Sequence, residues 1–161
     1  MALLDSPAER GRYGALAAFL ALTMTVAALG SWSTVPEIPH WYAGLVKPGF
    51  NPPSWVFGPV WTALYAAMAV AAWRVWRLAG MARPLALFFV QLALNCAWSF
   101  LFFRAHELGL ALADSVAMLV MIVWTGLAFY RRDRIAGALF VPYAAWVSFA
   151  TVLNAAVWQL N

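Results

Sequence analysis

Apolar positions in this chain run in long, charge-free blocks rather than in short alternating ones. They fall at about 14–32, 54–73, 84–103, 108–130 and 135–160, and Asp114 is the only charge inside any of them. The last four each supply the roughly 20 residues that a helix needs to cross a bilayer core. The pattern predicts an all-α fold, an integral membrane bundle of five transmembrane helices at about 14–32, 54–78, 84–104, 108–130 and 135–160. Residues 33–53 are left as a loop and lid. These spans use up nearly all of 1–161, so the chain reads as a single domain whose function lies between helices or in the first loop.

Composition agrees: 65% of residues are hydrophobic and 10% charged, against about 25% charged in ordinary soluble domains. Arg10 and Arg12 before an apolar stretch, with Ala28-Leu29-Gly30 after it, have the outline of a secretory signal. The apolar core exceeds the ~7–15 residues of such signals, so the segment is read as helix 1. Charge sets the orientation. Arg10, Arg12, Arg74, Arg77, Arg83, Arg131, Arg132 and Arg134 fall on one side, while only Lys47 and Arg104 fall on the other. The positive-inside rule places the first side, with the N-terminus, in the cytoplasm. The net charge of +4 thus reports topology and contact with anionic lipid. No nucleic-acid partner is expected, because the basic residues cluster at helix ends rather than along a face.

The single cysteine, Cys96, lies in helix 3, and His40 and His106 lie in outer loops. No metal site, phosphate loop or nucleophile elbow is expected. Depth is more informative. At 1.5 Å rise per residue, Trp61, Asn95, Trp98 and Asp114 fall about 9–14 Å inside the outer ends of their helices, with Trp146 deeper. Phe57, Trp61 and Tyr65 share one helical face. Asn95, Trp98 and Phe102 share another, and Tyr143, Trp146, Ala150 and Asn154 a third. A buried Asn, Asp or indole N–H facing hydrocarbon is costly, so these faces should turn inward.

Each reading has a plainer counterpart. Trp32, Trp55, Trp73, Trp76 and Trp158 sit where an interfacial belt belongs. Trp61, Trp98, Trp124 and Trp146 are too deep for one, and either pack the bundle or wall an aromatic slot. Asp114 is either a functional carboxylate or an acceptor for an indole or Asn95. The loop, stiffened by Pro48, Pro52 and Pro53 and carrying Trp41, Tyr42, Phe50 and Trp55, is either a lid or a passive cap. Pro59 and Pro142 are expected to bend helices 2 and 5.

Three segments carry a resemblance: WYAGLVKPGFNPPSWVFGPVWTALY at 41–65, QLALNCAWSFLFF at 91–103 and PYAAWVSFATVLN at 142–154. In order and in spacing they resemble the translocator protein family, whose bacterial members are called tryptophan-rich sensory proteins and whose animal members were named peripheral benzodiazepine receptors. The resemblance implies a five-helix homodimer in a bacterial cell membrane, binding porphyrins and, in some members, sterols and benzodiazepine-type ligands. It places a ligand pocket beneath the first loop at Tyr42, Pro52, Phe57, Trp61, Tyr65, Asn95, Trp98, Trp146 and Ala150; Asp114 joins them from the depth argument. It also implicates Trp61 and Trp146 in light-dependent breakdown of protoporphyrin IX. Animal members follow the helix 5 A-T-V-L-N with Tyr-Tyr and then a basic residue, where this chain has Ala155, Ala156 and Gln159, which weakens the case for sterol.

Three functions follow in order. The first is a porphyrin-binding sensory and regulatory protein needing no cofactor of its own. The second is a photochemical enzyme using pocket indoles. The third is a transporter of porphyrins or sterols, for which the chain lacks a visible inverted repeat.

Overall fold

The computed structural model describes residues 7–161, with side chains described from Gly11 onward; Arg10 therefore has its side chain outside the described residues. Five helical spans long and apolar enough to cross a membrane run over Gly11–Tyr42, Ser54–Ala79, Arg83–Arg104, Leu108–Tyr130 and Arg134–Leu160. The chain is an integral membrane protein, and among the described residues there is no strand. Its α-helices are α1 (Pro7–Thr34), α2 (Phe57–Ala79), α3 (Arg83–Ser99), α4 (Leu108–Tyr130), α5 (Arg134–Ala138) and α6 (Phe140–Leu160), the last two forming the fifth span. In the bundle α1 lies against α2 and α3, α4 packs between α3 and α6, and α2 closes the ring against α5 and α6.

Prolines account for two departures from expectation and one agreement. The first span does not stop near residue 32. It continues through a 3₁₀ turn, Val35–Glu37, and a π turn, Ile38–Tyr42, so only 43–53 is loop. Pro36 and Pro39 each take an early position of one of these short turns, and the missing N–H groups coincide with the change from the α pattern to a 3₁₀ and then a π pattern while the backbone stays helical. Pro59 likewise sits in the first turn of α2, after the 3₁₀ turn Ser54–Val56, and produces no break inside the helix. Pro142 acts as expected: it cannot donate to the Ala138 carbonyl, and the fifth span is interrupted at Leu139.

The half of the bundle remote from residues 43–53 is packed solid. Met68, Ala69, Ala71, Ala72 and Val75 of α2 are fully buried with Phe88, Ile122, Phe129, Tyr143 and Val147. Small side chains let helices approach closely. At the corner between α4 and α5, a Cβ on Gly137 would lie 2.6 Å from Tyr130 Cα, and one on Gly126 would lie 3.1 Å from Phe140 Cβ. Glycine is required at 137 because the opposing atoms there are backbone.

Asp133 caps α5, accepting from the amides of Ile135 at 2.8 Å and Ala136 at 3.0 Å while Arg74 Nη2 pairs with it at 2.8 Å. Burial favours the neutral acid, but those two amides and the guanidinium outweigh it and hold the carboxyl below its ordinary range. A depressed carboxylate stabilises the fold above its unfolded pKa and loses that contribution as pH falls through its folded one. Asp133→Ala is therefore expected to lower stability at pH 7 by about 0.5–2 kcal/mol, and the gap from wild type should narrow toward about pH 3, below the ordinary Asp value near 3.9. Thermal unfolding in detergent at both pH values checks this; a gap independent of pH would leave only a neutral cap.

Candidate functional site

The outer half is hollow. A cavity of about 360 Å³ lies between α1, α2, α3 and α6, bounded by the turns that extend α1 and α3. Tyr42, Phe57, Trp61, Tyr65, Asn95, Trp98, Trp146 and Ala150 all line it. Pro52 and Asp114 do not. α4 contributes no lining residue, which is why Asp114 stands apart; its Oδ2 is buried without a hydrogen-bond partner. Asp114 therefore accepts from neither Asn95 nor an indole, contrary to the structural role considered above.

Helical spacing sets the walls. Phe57, Trp61 and Tyr65 project from one stripe of α2. The Phe57 ring meets Trp146 edge-on at 5.7 Å, and Trp61 lies 5.6 Å from Tyr65 and 6.2 Å from Tyr143. Opposite, Trp98 stacks on Phe102 at 5.1 Å. Its indole Nε1 donates to Asn154 Oδ1 at 3.0 Å, while Asn154 Nδ2 donates to the Leu108 carbonyl at 3.1 Å. This relay fixes the Trp98 plane against α6 and α4.

The floor is a directed chain of buried polar groups. Tyr65 Oη donates to Asn95 Oδ1, Asn95 Nδ2 donates to Tyr143 Oη at 2.9 Å, and Tyr143 Oη donates to Gln91 Oε1 at 2.9 Å. Gln91 Nε2 ends on Met68 Sδ at 3.7 Å. Every member has a partner, so the floor is satisfied. Trp146 differs: its Nε1 is buried without a partner although the residue lines the cavity. Among the described residues no charged side chain and no His, Cys or Met lines the cavity.

Above it, residues 43–53 are fastened at three points. Tyr42 Oη donates to Asn51 Oδ1 at 3.0 Å. The Asn161 carboxamide accepts from Val46 N at 2.9 Å and donates to Val46 O at 3.0 Å. Phe50 meets Phe149 at 6.3 Å. The two outer cations are engaged outside the cavity. Lys47 Nζ donates to Leu45 O at 3.0 Å and lies over the Tyr42 ring, and Arg104 covers Trp32 and pairs with Glu37 at 3.7 Å. His106, in a left-handed conformation with φ 57°, stacks on Trp41 and pairs with Glu37 at 3.3 Å.

Sequence reasoning missed the contribution of α1, through Ala27, Gly30, Ser31, Thr34, Val35 and Ile38. These residues are small or aliphatic and carry no aromatic or charged signal. It also took Trp124 for an interior residue. Trp124 is 57% exposed on the outer face of α4, because the inward stripe of that helix is taken by Ala111, Ser115, Met118, Ile122 and Thr125.

Residues 19–159 match the TspO/MBR family. The translocator protein of Homo sapiens is 44% identical over 127 residues, covering 76% of this chain and 75% of the relative. The tryptophan-rich sensory protein of Cereibacter sphaeroides is 43% identical over 122 residues, covering 76% and 77%. The tryptophan-rich protein TspO of Archaeoglobus fulgidus is 36% identical over 148 residues, covering 91% and 96%.

Proposed function

Because this chain belongs to the TspO/MBR family, we propose that its outer cavity binds a flat apolar tetrapyrrole such as protoporphyrin IX and that occupancy serves a sensory and regulatory role. The observation that carries the reading is the aromatic enclosure. Trp61, Trp98 and Trp146 wall a space that no charged side chain among the described residues lines. Ring faces match a planar macrocycle. Acidic propionates would remain at the outer rim, where Lys47 and Arg104 stand. The basic residues at the opposite end favour an orientation with the N-terminus in the cytoplasm of a bacterial cell. A homodimer and sterol or benzodiazepine-type ligands remain expectations carried by the resemblance.

Metal-free protoporphyrin IX should bind within about threefold of haem, a difference near 0.7 kcal/mol. Among the described residues no His, Cys or Met faces the cavity to supply an axial ligand, the hydroxyls of the two lining tyrosines, Tyr42 and Tyr65, are engaged with Asn51 and Asn95, and His106 is held by Trp41 and Glu37. Equilibrium titration of the purified protein, read by tryptophan quenching, tests both statements. Absence of binding by either ring would remove the reading, and a strong preference for haem would require a ligand from elsewhere.

A second reading, light-driven porphyrin breakdown, draws on the same indoles. Trp61 stands against Tyr65 and Tyr143, so a readily oxidised ring borders the guest's position with two phenols beside it.

A further inference from the structure

We infer that the ligand enters and leaves sideways, from the outer leaflet through a slot between α1 and α2, and not through the loop above the cavity. The inference rests on the tetrapyrrole reading for its ligand and adds the route. Among the cavity's lining residues, the exposed ones are Ser31, Val35, Ser54, Gly58 and Thr62. They belong to the outer part of the first span and to the start of the second. Lining residues from α3 and α6 are all buried or half-buried. Among the described residues, the exposed part of the cavity wall thus lies on the first and second spans.

Side-chain size makes the opening. Ser54, Gly58 and Thr62 recur every four residues and form one stripe on the α2 side. A Cβ built on Gly58 would meet nothing within 4 Å, whereas one on Gly30, buried against α3, would lie 3.1 Å from Ser99 Oγ. At this level α1 is thus seated on α3 at Gly30, while Gly58 has open space beside it. The stripe descends about 12 Å from Ser54 to Thr62, from the interface into the outer part of a ~30 Å hydrocarbon core. A slot at that depth opens onto lipid. The top is closed by contrast, since the Tyr42–Asn51 bond, the two Asn161–Val46 bonds and the Phe50–Phe149 contact hold the loop down. The ligand class that fits is a membrane-soluble planar amphiphile whose acidic edge stays at the interface while its ring slides in.

The test places a removable plug in the slot of folded protein. Gly58→Cys in a Cys96→Ala background is reconstituted in nanodiscs and treated with benzyl methanethiosulfonate, and protoporphyrin IX exchange is followed by stopped-flow tryptophan quenching. Association and dissociation should each slow at least tenfold, with the equilibrium constant moving far less, and dithiothreitol should restore both rates. Asn161→Ala, which frees the loop from its clip, should exchange at the wild-type rate. If plugged and reduced proteins exchange alike while the wild type binds, the sideways route is wrong and the binding reading stands. If Asn161→Ala accelerates exchange tenfold, the loop is the gate. If the wild type takes up no porphyrin, both fall.

Discussion

Trp61→Ala and Trp146→Ala are each expected to weaken protoporphyrin IX binding about thirtyfold, while Trp32→Ala leaves it unchanged. The magnitude follows from two terms. A ring face covered by a guest hides on the order of 50 Å² of indole, or about 1.3 kcal/mol at 25 cal/mol per Å². Aromatic pairing adds about 0.5–1.5 kcal/mol beyond area, and 2 kcal/mol is roughly a factor of thirty. Both tryptophans line the cavity, whereas Trp32 is 63% exposed and lies under Arg104. Phenylalanine at 61 and 146 keeps a ring but removes the oxidisable indole. Those variants should lose light-driven porphyrin decay more than affinity if the photochemical reading holds. Three alanine variants with equal affinity would move the pocket elsewhere. Parallel loss of binding and decay in the phenylalanine variants would reduce the indoles to walls.

The second large effect belongs to the floor. Asn95→Leu preserves size but removes both the acceptor used by Tyr65 and the donor used by Tyr143. The buried Tyr65 hydroxyl is left without a partner, which costs about 1–3 kcal/mol. Hydrogen bonds between membrane helices average nearer 0.6 kcal/mol in double-mutant cycles, so about 1–2 kcal/mol is expected, or some 2–8 °C in unfolding midpoint by the scaling for soluble domains of similar length. Tyr65→Phe together with Asn95→Leu should recover much of the loss, because no orphaned hydroxyl remains there. Unfolding midpoints of the two single variants and the double variant decide it. If the double variant is as unstable as the two losses added together, Tyr65 and Asn95 contribute independently.

How far the sequence could be read differs between fold and site, for physical reasons. Hydrophobic runs identify membrane spans because the bilayer imposes a length, and the five spans were legible on that ground. The end of the first was not, since Pro36 and Pro39 look like terminators in sequence yet the chain stays helical through both and changes only its hydrogen-bond pattern. The aromatic wall was partly legible. Spacing puts Phe57, Trp61 and Tyr65 on one face, but it cannot say which helix stands opposite, and Asp114 was drawn in by depth although α4 lies outside the cavity. The α1 wall gave no signal, because what Gly30, Ser31 and Thr34 contribute is space rather than chemistry. The loop's anchoring was also hidden: the Val46–Asn161 pairing joins positions 115 residues apart.

The glycine at the α4–α5 corner also bears on how the cavity can breathe. With Gly137 pressed against Tyr130 backbone and Gly126 against Phe140, the final hairpin has no slack in which to roll or slide. It acts as a stiff jamb. On the other side Gly58 faces empty space, so whatever dilation a bulky guest demands falls on α1 and α2. The bundle is mechanically lopsided, one half frame and one half door.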